Sequence, residues 1–338
     1  MKTAIIVAPK FDAIWPFAAD RLRELLAPAT EVSFLRLPDD APEAPIADLV
    51  PDVGSIQRLI SLGVPLQASD LDTLPALEEA FATDGYRHDA VKELLAERGI
   101  RHLRQISEGF WGQSVSEFAL GLTLGALRRI PQSHHAILTS QDPWAYPRQQ
   151  YGDDSRFTNG TVEGKRVRII GAGNIASRYA SFMHMLGADV AAWDPFASEP
   201  SFHRAGSRRE HRLDRLVADA EIFVPMVPLT PSTEGLVTAE LIRSVPAGAL
   251  VVLATRAAVC DMPTLRQRVL ADELALAADV FDVEPLPLDD PLLGRDNVVH
   301  TPHNAGRTKE ANFRWAEMLA EQLPEFDRAL IGPPSAVL

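Results

Sequence analysis

Cysteine is almost missing from this chain: Cys260 is the single one in 338 residues. One thiol allows no internal disulfide and no cysteine-based metal cluster, which fits a reducing cytoplasm, and no metal site is expected. Long apolar runs are missing too. The longest, Phe118 to Leu127, is closed by Arg128 and Arg129 and falls short of the ~20 residues a bilayer span requires. Basic residues are outnumbered, 33 against 46 acidic, and the formal net charge is -13. That balance argues against nucleic acid or an anionic membrane as the main partner. The N-terminal run ending at Pro9 soon meets Lys10 and Asp12, which is too short for a secretory signal and suits a buried first strand. A soluble, cytoplasmic protein is the expectation.

What is present is ordinary globular material, 46% hydrophobic and 23% charged, in a chain longer than one core usually serves. Residues 1–113 carry a strand, a helix near Phe17 to Leu26, a Pro- and Asp-rich loop from Pro38 to Pro51, and short elements around Leu59 to Gly63 and Leu77 to Ala82. A helix from His88 to Glu97, ended by Gly99, follows. Ser114-Val115-Ser116-Glu117 has the pattern of a helix start and predicts a long apolar helix through about Ile130. Thr139 to Gly164, with Trp144, Tyr146 and Tyr151, reads as a connecting arm suited to a homodimer interface. Strands are expected at Arg166–Ile170, Asp189–Trp193, Glu221–Val224, Ala249–Leu253, Leu276–Phe281 and Val298–His300, with helices between them. Such alternation makes βαβ units and a parallel sheet covered on both faces, the Rossmann-type doubly wound plan.

Gly171-Ala172-Gly173-Asn174-Ile175-Ala176 follows the first of these strands and opens a helix. Gly171 permits the tight turn, Gly173 lets the backbone approach a pyrophosphate, and Ala176 is small enough for helix–strand packing. The phosphates then meet the free N–H groups of a helix start, including those of Asn174 and Ile175. Asp194 ends the next strand. It can accept hydrogen bonds from a ribose 2′-hydroxyl and repels a 2′-phosphate, so NAD is expected over NADP. The competing reading is a glycine turn in an unrelated α/β fold, with Asp194 a solvated strand end.

Open α/β sheets bind ligands beyond the carboxyl ends of their strands. Arg256, Glu284 and His303 all follow later strands. Singly, each has a bland alternative: a surface arginine, a solvated glutamate, a structural histidine. Together they suit hydride transfer to a 2-keto acid. A histidine can donate the proton to the carbonyl oxygen, a carboxylate beside it favours the imidazolium, and a guanidinium can grip the substrate carboxylate. His300 lies inside the strand pattern and reads as structural, and Cys260 reads as packing.

From Ser114 to Thr308 the chain resembles the D-isomer-specific 2-hydroxyacid dehydrogenases, the group that includes phosphoglycerate, glycerate/hydroxypyruvate and D-lactate dehydrogenases. The stretches that carry this are Ser114 to Leu120, Gly171 to Ala176, Val227 to Thr233, Ala278 to Leu286 and Thr301 to Gly306. The resemblance implies a smaller flavodoxin-like substrate domain, residues 1–113 completed by 307–338, and a nucleotide domain, residues 114–306, carrying the dimerisation helix and arm. It implies the catalytic roles of Arg256, Glu284 and His303. Asp279, Ala254 and Thr255 would face the nicotinamide, and Val227, Pro228 and Thr233 the adenosine-pyrophosphate side. The carboxylate-binding loop falls best on Ala82 to Asp89, through Gly85 and Tyr86. Leu253, Met226 and Ala257-Ala258 depart from the usual residues, which bears on substrate more than on reaction. Glu284 in place of Gln argues against a formate dehydrogenase. Two other readings stand beside this one: an NAD-sensing corepressor or scaffold, and a phosphite dehydrogenase of similar plan.

Overall fold

The computed structural model describes residues 1–41, 44–83, 88–105, 111–144 and 152–326. Contacts divide the chain into two compact units, residues 1–110 with 307–338, and residues 111–306.

In the first unit the parallel strands β1 (Lys2–Val7), β2 (Glu31–Arg36), β3 (Arg58–Leu62), β4 (Glu79–Thr83) and β5 (Arg101–His102) are ordered β2-β1-β3-β4-β5. This is the flavodoxin-like arrangement. β1 and β3 are almost wholly buried, as central strands of a parallel sheet must be. Strand β2 lies at the edge and is only half-buried, its apolar residues Val32, Phe34 and Leu35 set between charged ends. The helix Lys309–Ala320 packs against the helix Ala18–Leu26, and Trp315 meets Phe11 and Phe81 edge-on.

In the second unit β6 (Arg166–Ile170), β7 (Asp189–Trp193), β8 (Arg208–Arg209), β9 (Ile222–Pro225), β10 (Leu250–Leu253), β11 (Ala275–Ala278) and β12 (Val298–His300) form one parallel sheet, ordered β12-β11-β10-β9-β6-β7-β8. Strand order reverses beside β6, the place where a doubly wound sheet opens a crevice at its carboxyl end. The long helix runs from Trp111 to Leu127, so it starts before Ser114 and stops short of Ile130. Gly112 in its first turn packs closely on Asn174: a Cβ there would lie 2.6 Å from the Asn174 Oδ1. Arg129, with φ of 51°, breaks the helix, and a second one follows over Ile130–Thr139.

The first unit hides one charged cluster. Arg58, fully buried on β3, stands opposite Glu79 on β4 and holds its Oε1 at 2.5 Å, while Glu325 Oε1 lies 2.5 Å from the same guanidinium. Removing one partner of a buried pair leaves the other uncompensated, typically costing about 3–5 kcal/mol. Glu79→Ala should therefore destabilise the chain by about 3 kcal/mol in denaturant unfolding; a loss under about 1 kcal/mol would mean that Glu325 alone neutralises Arg58.

Candidate active site

Every candidate in the second unit follows a strand end on the same edge of its sheet. Gly171 follows β6, Asp194 β7, Met226 to Pro228 β9, Ala254 to Arg256 β10, Asp279 β11 and His303 β12. The candidate carboxylate loop does not share this description: Gly85 and Tyr86 lie outside the described residues, as do Tyr146 and Tyr151 of the arm.

The glycine loop fits a dinucleotide. Gly171 has φ of 109°, and a Cβ there would lie 2.6 Å from the Met226 carbonyl oxygen, so only glycine serves without strain. At Gly173 nothing lies within 4 Å of where a Cβ would stand, leaving the backbone open to an approaching phosphate. The helix Asn174–Met185 begins there, and Ala176 is buried against the sheet. Arg178 donates to Asn174 Oδ1 at 3.0 Å and to Gln113 Oε1 at 2.8 Å, which ties this helix start to the long helix. Asp194 Oδ2 accepts from the Ala172 N–H at 2.9 Å, and its Oδ1 from Phe196 and Ala197 at 2.9 and 3.1 Å. The acid expected at the ribose thus also shapes the phosphate loop. Beyond β9, the Thr233 hydroxyl accepts from Thr230 N–H at 2.8 Å and donates to the Pro228 carbonyl, folding the Val227 to Thr233 loop on itself.

The catalytic candidates are held in different ways. His303 Nδ1 lies 2.7 Å from Glu284 Oε2, and Glu284 Oε1 accepts from the Phe281 N–H at 2.8 Å. With Nδ1–H donated to the carboxylate, Nε2 is left for another partner. Arg256 is exposed and donates from Nη1 to the Thr255 carbonyl at 2.7 Å. Thr255 is itself buried, its hydroxyl donating to the Pro225 carbonyl at 3.3 Å, which joins this turn to the end of β9.

Asp279 is fully buried. Its Oδ1 accepts from the Thr301 hydroxyl at 2.6 Å and the Asn304 N–H at 3.0 Å, and its Oδ2 from the Ala305 N–H at 2.9 Å. Three donors on one buried carboxylate clamp the loop that carries His303, whose φ of 52° lies in the left-handed region disfavoured for residues with a Cβ. The expectation for Asp279 was a nicotinamide-facing role. Its grip on loop 301–305 had no signal in the sequence, because two of the three donors are backbone N–H groups 25 and 26 residues away.

His300 ends β12 and is exposed. Cys260 is buried, and burial, with the Asp261 charge adding to it, pushes its thiol up to about 12. It stays a packing group at neutral pH.

A family profile described as "D-isomer specific 2-hydroxyacid dehydrogenase, NAD binding domain" matches residues 120–305. A glyoxylate reductase of Korarchaeum cryptofilum is 30% identical over 300 residues, covering 87% of this chain and 86% of that protein. A D-3-phosphoglycerate dehydrogenase of Archaeoglobus fulgidus is 31% identical over 218 residues, 64% of this chain but 39% of the relative. This chain thus spans about two fifths of the length of that relative and of the similar Methanocaldococcus jannaschii protein. The solved NAD-complexed D-isomer specific 2-hydroxyacid dehydrogenase of Lactobacillus delbrueckii ssp. bulgaricus shares the fold, with a TM-score of 0.73 at 18% identity over 95% of this chain and 96% of that one. The chain belongs to the D-isomer specific 2-hydroxyacid dehydrogenase family. Residues 120–305 are that family's NAD-binding domain.

Asp279→Ala would strand two backbone N–H groups and a hydroxyl, each unsatisfied buried donor costing about 1–3 kcal/mol. A stability loss of about 3 kcal/mol or more in denaturant unfolding is expected, with faster amide exchange at Asn304 and Ala305. Unchanged exchange there would show that other contacts hold the loop.

Proposed function

We propose that this protein is an NAD-dependent oxidoreductase interconverting a small D-2-hydroxy acid and its 2-keto acid, with the second unit as nucleotide domain and the first as substrate domain. The observation that carries this reading is the 2.7 Å contact between His303 Nδ1 and Glu284, at the same sheet edge as the Gly171 loop. Bound NADH supplies the hydride. His303 supplies the proton from Nε2 to the substrate's carbonyl oxygen, and Glu284, bonded to Nδ1, orients the imidazole. Arg256 pairs with the substrate carboxylate and polarises the carbonyl. Ala254, Thr255 and Asp279 stand on the nicotinamide side. Asp279 in addition positions His303 through the loop it clamps. Gly171, Gly173, Asn174 and Ile175 hold the pyrophosphate, Asp194 the adenosine ribose, and Val227, Pro228 and Thr233 the adenosine side. The similarity to a glyoxylate reductase over most of both chains supports a small 2-keto acid. A screen of NADH oxidation against glyoxylate, hydroxypyruvate, pyruvate and phenylpyruvate names it.

We also propose a homodimer built through the second unit. The helix Ile130–Thr139 buries none of its residues and leaves Ile137 and Leu138 exposed, Leu138 at 68%, with Trp144 beyond it at 67%. Apolar and aromatic groups of this kind anchor interfaces. Light scattering at micromolar concentration should give about twice the 37.0 kDa chain mass; a monomer would contradict the proposal.

His303→Ala should lower keto-acid reduction by roughly 10²- to 10⁴-fold while NADH affinity stays nearly unchanged. Glu284→Gln, which keeps a side chain of the same length beside Nδ1, should be milder. Arg256→Ala should impair both KM and kcat. Steady-state kinetics across pH decides; near-normal turnover in His303→Ala with an inactive His300→Ala would assign the proton to the other histidine.

A further inference from the structure

The stretch Ser207-Arg208-Arg209-Glu210-His211-Arg212 brings three arginines to the edge of the sheet beside β7. Two of them are engaged by nearby acids. Arg208 lies 3.5 Å from Asp189 and 3.9 Å from Asp219, and Arg212 is paired with Asp214 at 2.5 Å. Arg209 is placed differently. It pairs with Ala192 in the sheet register, two residues before Asp194, and its Nη2 donates to the Asp194 carbonyl oxygen at 3.3 Å. Its guanidinium stacks over Phe202 at 5.3 Å, is 22% exposed, and has one acid near it, Glu199 at 3.6 Å, which is itself 53% exposed. A pair whose acid is half-exposed contributes little, which leaves the guanidinium able to take a second anion.

A positioned guanidinium is thus hydrogen-bonded to the backbone of the acid assigned to the adenosine ribose. Arginine forks are suited to phosphate monoesters, which they can grip through two N–H groups. In the native chain a 2′-phosphate would meet the Asp194 carboxylate, whose position is fixed by three backbone donors and which therefore has little freedom to turn away. We propose that Arg209 is a second determinant of nucleotide choice: a preformed cation for an adenosine 2′-phosphate, kept silent by the charge of Asp194. This rests on the reading of Asp194 as the ribose-binding acid and extends it from one residue to a pair of opposite sign. Exclusion of the phosphorylated nucleotide is then the work of one carboxylate set against a cation that favours it, and a single neutralising substitution should release the preference.

The test measures binding, so it does not depend on turnover. Calorimetric affinities of the full chain for 5′-AMP and adenosine 2′,5′-bisphosphate are compared in the native protein, Asp194→Asn, Arg209→Gln and the double variant. Asparagine keeps an acceptor for Phe196 and Ala197; Asp194→Ser replaces it should the first variant lose 5′-AMP binding. The native chain should prefer 5′-AMP. Asp194→Asn should shift the ratio at least tenfold toward the bisphosphate, and Arg209→Gln in that background should remove most of the shift while 5′-AMP binding changes less than twofold. A shift that survives in the double variant, or its absence in an Asp194 variant that still binds 5′-AMP, overturns the role of Arg209. Failure of the native chain to bind 5′-AMP or NADH overturns the nucleotide reading itself, and this inference with it.

Discussion

The site depends first on a buried carboxylate. Asp279 sits at the end of β11, wholly shielded from water, and a charge in such a place is tolerable only with strong hydrogen-bond donors around it. It takes them from the loop after the neighbouring strand β12, two from backbone and one from Thr301. That grip fixes residues 301–305 in one course, which includes the left-handed backbone at His303. Left-handed geometry at a residue with a Cβ costs of order 1–3 kcal/mol and persists only where its surroundings over-determine it. The imidazole is thereby delivered to Glu284, whose other oxygen is held by the Phe281 N–H. Orientation of the proposed proton donor is thus set by contacts between neighbouring strand ends.

The same economy recurs on the nucleotide side. Asp194 closes the glycine loop through Ala172 and turns its own strand end through Phe196 and Ala197. The proposed ribose role of Asp194 would couple the two halves of the cofactor site, because the same residue already shapes the glycine loop. On that proposal, one side chain sets both the loop's shape and the choice of an unphosphorylated ribose.

Much of this was legible in the sequence, for physical reasons that differ by element. Gly171, Asp194, Arg256 and His303 each follow an apolar β-run, so their place at the sheet's carboxyl edge could be read without coordinates. Six of the seven strands follow the same alternation, with the two-residue β8 as the exception: Arg208-Arg209 has no apolar signal, and Arg209 went unnoticed with it. Edge strand β2 escaped too, its apolar residues set between charged ends. The long helix was expected to start at Ser114 because Ser114-Val115-Ser116-Glu117 has the pattern of a helix cap; the described helix already includes Trp111 to Gln113. The partners of Asp279 were out of reach, since backbone N–H groups leave no mark on a sequence.

The claim at the centre of this account is that His303 commits Nδ1–H to Glu284 and keeps Nε2 free for the substrate. Nitrogen-15 NMR of histidine-labelled protein measures this directly. Titrated to the neutral imidazole, His303 should show the Nδ1–H tautomer, with Nε2 unprotonated. A signal of the Nε2–H tautomer, assigned to His303 by its loss in His303→Ala, would contradict the pairing on which the proposed mechanism stands.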